Sequence, residues 1–165
     1  MGNRGVSVLA VVLVILGCMF VAAIALPGFM RACGCNETPA MTTIRLLRSI
    51  NASQSAYSSA CAEGAFAPTL EDLLKPPLTG GTPFIGWKPM PPQIEGYVVT
   101  LRIPAGGKLP GAACNGGGRA KRYFVEARPT AVDEHSRFFA TDERGTVYQS
   151  SKPIPEDMSG AHPVH

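Results

Sequence analysis

The chain has 165 residues, 45% of them apolar, and its 15 Lys and Arg against 12 Asp and Glu leave a formal charge of only +3. So small a balance argues against a nucleic-acid protein driven by bulk charge, and no nucleic-acid partner is expected. With 18 Gly and 15 Pro, long loops are expected outside the apolar part, and the length allows one ordinary domain.

The apolar residues gather at the start. From Val6 to Met30 there is no charged side chain, and a helix of that length would reach roughly 37 Å, enough to cross a hydrocarbon core with tilt. Arg4 precedes the run and Arg31 follows it, which weakly places the N-terminus inside. A retained transmembrane helix over 6–30 is the reading adopted. Two alternatives exist: a secretory signal cut after Ala23-Ile24-Ala25, and a lipoprotein signal at Ile15-Leu16-Gly17-Cys18. The first has too long an apolar run; in the second the chain stays apolar beyond Cys18, up to Pro27.

Periodicity predicts that helix continues through 31–63. Leu46, Ile50, Tyr57 and Cys61 fall within about 60° of one another at about 100° per residue, with Ser53 and Gln54 flanking them. Arg45, Arg48, Asn51, Ser55 and Ser58 lie opposite. Gly34 and Pro39 interrupt the rod, so a kink is expected near 34–39; alternatively Thr38 caps a second helix with Pro39 at its first position.

Beyond Gly64, prolines at 68, 76, 77, 83, 89, 91 and 92 favour loop. Thr69 with Asp72 three residues later is an acidic variant of a capping box, predicting one short helical turn. Strands are predicted over Gly96–Ile103 and Lys121–Ala127, and a hairpin over Arg137–Thr141 and Gly145–Gln149 around Asp142-Glu143-Arg144-Gly145. Gly106–Gly118 reads as a long exposed loop and 151–165 as a disordered tail. The expected fold is α+β: a long N-terminal helix, membrane half plus amphipathic half, packed on a small antiparallel sheet of three or four strands with one covered side. The organisation is then 1–5, 6–30, 31–63, a globular domain over 64–150, and the tail over 151–165.

Arg4-Gly5 followed by the apolar run, with Ala25-Leu26-Pro27-Gly28-Phe29 at its end, resembles the N-terminus of type IV pilins and type II secretion pseudopilins. Ile44–Tyr57, Phe66–Leu70 and Arg137–Gly145 look like a pilin-like group as well. The resemblance implies that residues 1–5 are a leader cleaved after Gly5, that Val6 becomes the N-methylated mature N-terminus, and that the domain is periplasmic or displayed on a filament anchored in the bacterial inner membrane. Implied partners are other pilin or pseudopilin subunits, the prepilin peptidase, the inner-membrane assembly platform and membrane lipid. No catalysis and no cofactor are implied. The chain departs from the family at Ala10, where the acidic residue fifth after the cut is expected. That departure points to a minor or tip-like subunit, or to a membrane-anchored periplasmic binding or adaptor protein that does not polymerise.

Five cysteines stand at 18, 33, 35, 61 and 114. Cys18 lies in the apolar run; the other four allow three pairings in an oxidising compartment. Because Cys61 belongs to the buried stripe and Cys114 to the glycine-rich loop, the pair Cys61–Cys114 is expected, worth roughly 4 kcal/mol in the chain-entropy model. Cys33 and Cys35 then serve as links between subunits, as a pair in an unwound segment, or as metal ligands; a lone C-x-C falls short of a structural zinc site, and no metal is expected. His135 beside Asp133 and Glu134 reads as a solvated turn residue. His162 and His165 form a weak H-x-x-H, and Gly116-Gly117-Gly118-Arg119 lacks the end of a phosphate cradle. Asp133, Glu134, Asp142 and Glu143 match no calcium loop.

Overall fold

The computed structural model describes residues 38–86, 93–94 and 96–164. The chain divides into two units, Met1–Asn36 and Glu37–His165, and the described residues belong to the second. The expected leader, the transmembrane helix and the kink up to residue 37 lie outside the described residues.

Helix α1 spans Pro39–Ala60. Its start corrects the expectation of one helix through 31–63 and is the alternative, a Thr38 cap with Pro39 in the first turn: Thr38 is extended, with φ −73° and ψ 150°, and its hydroxyl accepts from the Met41 N–H. A residue before proline is driven out of the helical region by the ring, and Pro39 itself needs no N–H at the first turn. At the other end the Cys61 and Ala62 N–H groups both donate to Tyr57 O, the Gly64 N–H donates to Ser58 O, and Gly64 turns the chain away with φ +86°. Thr43, Leu46, Leu47, Ile50, Ser53, Gln54 and Tyr57 form the buried face. Gln54 is fully buried and satisfied by one backbone residue: its Nε2 donates to Ala67 O at 2.9 Å and its Oε1 accepts from Ala67 N at 2.8 Å. Helix α2, Leu70–Leu74, is capped by Thr69, whose hydroxyl accepts from Asp72 N.

The strands are β1 Gln93–Ile94, β2 Tyr97–Arg102, β3 Lys108–Leu109, β4 Arg119–Ala120, β5 Phe124–Pro129, β6 Phe138–Asp142, β7 Val147–Ser150 and β8 His162–Pro163. Six of them form one antiparallel sheet in the order β1-β2-β5-β6-β7-β8, and β3 pairs with β4 separately. Among the described residues, the expected three or four strands are thus corrected to six in one sheet plus a two-stranded ribbon. Register is set by full-length pairing of β2 with β5, Tyr97 opposite Pro129 through Arg102 opposite Phe124, and by Phe139 facing Ala127 on one side and Gln149 on the other.

One face of the sheet carries Tyr97, Val99, Val125, Ala127, Phe139 and Val147, which share a core with Leu46, Leu47, Ile50 and Tyr57 of α1. The opposite face is covered too. Phe124, Phe138 and Ala140 pack with Ile154 and Met158, both 5% exposed. Residues 151–164 are therefore a strap across the sheet ending in β8, not the expected disordered tail, and the sheet has two covered sides rather than one. This explains why every residue of β6 is buried. The strap is also tied by Arg102, which contacts Glu156 at 3.4 Å and Glu126 at 3.5 Å and lies over the Phe124 ring. Pro163 sits on an edge strand, where its missing N–H breaks no ladder.

The glycine-rich stretch is corrected as well. It leaves β2 and returns to β5 as the β3–β4 ribbon, and Ala120 exchanges two backbone hydrogen bonds of 2.8 Å with Phe66. Ala113, Asn115 and Gly117 within it are buried.

Candidate functional site

Two places on the described unit gather polar side chains. The first is where α1 ends against the glycine-rich loop. Tyr57, the last large residue of the buried stripe, donates its hydroxyl to Gly118 O at 2.8 Å and lies 3.4 Å from Asn115 Oδ1. Asn115 Nδ2 donates to Asp72 O and Lys75 O, while its Oδ1 accepts from Gly117 N. Asp72 accepts from the Thr69 hydroxyl and from Lys75 Nζ at 2.7 Å. Burial, and then the Asp72 charge, push the Tyr57 hydroxyl up to about 12, with Arg119 pulling weakly the other way. Cys61 and Cys114 join this locus covalently, in a disulfide with Cα atoms 4.8 Å apart.

The second is a groove of about 660 Å³ between α1 and the β6–β7 turn, lined among others by Ser55, Ser58, Phe66, Tyr123, Glu143 and Arg144. Its floor is built by Asn51, expected on the solvent side of α1. Asn51 Nδ2 donates to Thr141 Oγ1 at 2.8 Å and to Gly145 O at 2.9 Å, and its Oδ1 accepts from the Tyr123 hydroxyl. The turn is closed by Gly145 N donating to Asp142 O and by Arg144 clasping the nearly buried Asp142 carboxylate. Burial, Asp142 and Glu143 raise the Tyr123 hydroxyl above its ordinary range.

The structure does not bring the acidic candidates together. Asp142 is held by Arg144, whereas Asp133 accepts from Ser136 Oγ and His135 N in its own exposed turn, which lowers its carboxyl below the usual range. His135 is exposed beside Glu134. His162 lies in β8; Gly5, Val6, Ala10, Cys18, Cys33, Cys35 and His165 lie outside the described residues. Among the described residues no group of three or more His, Cys, Asp or Glu side chains is placed to hold a metal. The glycines at 117 and 118 are packed rather than open: a Cβ on Gly117 would stand 2.9 Å from the Tyr57 hydroxyl, and one on Gly118 would stand 2.6 Å from Pro68.

Sequence reasoning missed Asn51 and Asn115 as organising residues. Gln54 carried a faint signal, as an amide flanking the apolar stripe, whereas Asn51 stood opposite the stripe and carried none. Asn115 carried none beyond its Asn-Gly turn. The chain matches no known family model, no curated protein and no solved structure. Among the described residues no helix is long and apolar enough to cross a membrane; the charge-free run of 6–30 lies outside them.

Proposed function

We propose that this chain is a non-catalytic subunit, minor or tip-like, of a type IV pilus or type II secretion pseudopilus. The observation that carries the reading is the sequence Arg4-Gly5 before a charge-free run to Met30 that ends in Leu26-Pro27-Gly28-Phe29. Gly5 is the cleavage position and Val6 the methylated N-terminus. Residues 6–30 serve as inner-membrane anchor and assembly helix, and the unit beyond residue 37 as the displayed domain. Support comes from the Cys61–Cys114 disulfide, which suits an oxidising compartment outside the cytoplasm.

A second reading, favoured by Ala10, is a single-pass periplasmic adaptor that is never processed or polymerised. Lipidation at Cys18 is a third. The mature N-terminus separates all three. Purified from membranes of a host with a prepilin peptidase, a filament subunit begins at methylated Val6, an adaptor at Met1, and a lipoprotein at Cys18. Gly5→Leu is expected to leave the leader attached, because the peptidase must bring the scissile backbone close to its catalytic groups. A mature mass that is unchanged by Gly5→Leu would sink the proposal.

A further inference from the structure

Cys61 and Cys114 line an open cleft of about 280 Å³ together with Glu63 and Arg119. Cys61 is 8% exposed, and Cys114 is the more open of the two. The loop around Cys114 is held by more than its sulfur. Cys114 N donates to Cys61 O at 2.9 Å, Leu78 N donates to Cys114 O at 3.0 Å, Asn115 Nδ2 donates to Asp72 O at 2.7 Å, and Tyr57 donates to Gly118 O. None of these bonds is made by a sulfur atom. Arg119 contacts Glu63 at 3.1 Å, but the Glu63 side chain is 84% exposed and the Arg119 side chain 23%, so the pair sits at the rim, where solvent screens it.

We infer that the Cys61–Cys114 bond is a reversible thiol–disulfide exchange site, open in the folded protein to small thiols. A thiolate attacks Cys114 Sγ, the S–S bond breaks, and the electron pair leaves on Cys61 Sγ, in the cleft that Arg119 also lines, where a cation favours a thiolate. A second thiolate attacks the thiol-derived sulfur of the mixed disulfide, releasing Cys114. Two thiols become one disulfide, and two electrons and two protons end on Cys61 and Cys114. With the loop held by those hydrogen bonds, an added disulfide restores the bond by the reverse steps.

The test uses the full chain in detergent at low salt, with mercaptoethanesulfonate as an anionic thiol and cysteamine as a cationic one. Alkylation and peptide mass mapping follow Cys61 and Cys114 separately from the other cysteines, while circular dichroism reports folding. Reduction should proceed with the dichroism unchanged and should reverse on adding hydroxyethyl disulfide. Removing the carboxylate with Glu63→Gln should raise the anionic-to-cationic rate ratio by about threefold, and Arg119→Gln should lower it by a similar factor, as expected for one charge several ångströms from the attacked sulfur. Reduction that occurs only as the dichroism is lost, or a rate ratio that either variant leaves unmoved, would overturn the inference.

Discussion

Tyr57 shows how much one residue of a stripe can do. Its ring belongs to the core, edge-on to Phe84 at 5.2 Å, and its hydroxyl reaches through to the loop at Gly118. Tyr57→Phe keeps the ring and strands that carbonyl, so the unfolding free energy in urea should fall by about 1–2 kcal/mol. The pH dependence has a definite sign. A hydroxyl raised from 10.0 to about 12 on folding keeps its proton in the folded chain after the unfolded chain has lost its own. Its contribution is whole below pH 10 and is lost as pH rises toward 12, so stability should decline across that window. The decline should be smaller in Tyr57→Phe, with Tyr97 and Tyr123, both also raised by burial, supplying what remains. A variant with the same alkaline decline as the wild type would contradict the assignment. Tyr57 and Cys61 were legible in the sequence because helical periodicity alone places them on one face. Asn51 was not, since its partners Thr141 and Gly145 are about ninety positions away in the chain and nothing local announces them.

At the scale of elements, the strands that could be read are those long enough to show a pattern: β2, β6 and β7 lie where alternation and the Asp142–Gly145 turn put them, and β5 is displaced toward the C-terminus. β1 and β8 have two residues each and carry no periodic signal. The strap was missed for a different reason. Its apolar anchors, Ile154 and Met158, stand singly among Pro, Glu, Asp and Ser, a composition that reads as solvated chain until the face they cover is known. Phe138-Phe139-Ala140 held the missing clue, because three consecutive apolar residues in a strand need cover on both sides. If the strap is an integral layer, Ile154→Ala should lower the unfolding free energy by about 2–4 kcal/mol. Glu156→Gln, which loses only its half-exposed pair with Arg102, should cost less than about 1 kcal/mol. Equal and negligible effects in denaturant titrations would return 151–164 to the status of a tail.

For the whole molecule, the two units of the chain pose different problems to a reader of sequence. The proposed membrane partition of residues 6–30 would depend on summed hydrophobicity and is argued without knowledge of contacts, whereas the layered unit beyond residue 37 depends on pairings across its whole length. The proposed filament role makes one demand that joins them: the apolar run must pack in a filament core. In type IV pilins, the family of the proposed role, an acid fifth after the cleavage site offsets the amine of a neighbouring subunit, and on that reading the position here is Ala10. The mature Val6 amine would then enter a low-dielectric core without a partner, a cost that grows with every added copy. Wild-type protein expressed with a complete assembly machine and no other pilin is therefore expected to yield no long filaments, and to appear in filaments only when acid-bearing subunits are supplied. Ala10→Glu should increase its incorporation, read as the ratio of this chain to its partners in sheared filaments. Incorporation unchanged by Ala10→Glu would detach the defect from the missing charge, and long homopolymers of the wild type in electron micrographs would refute the argument outright.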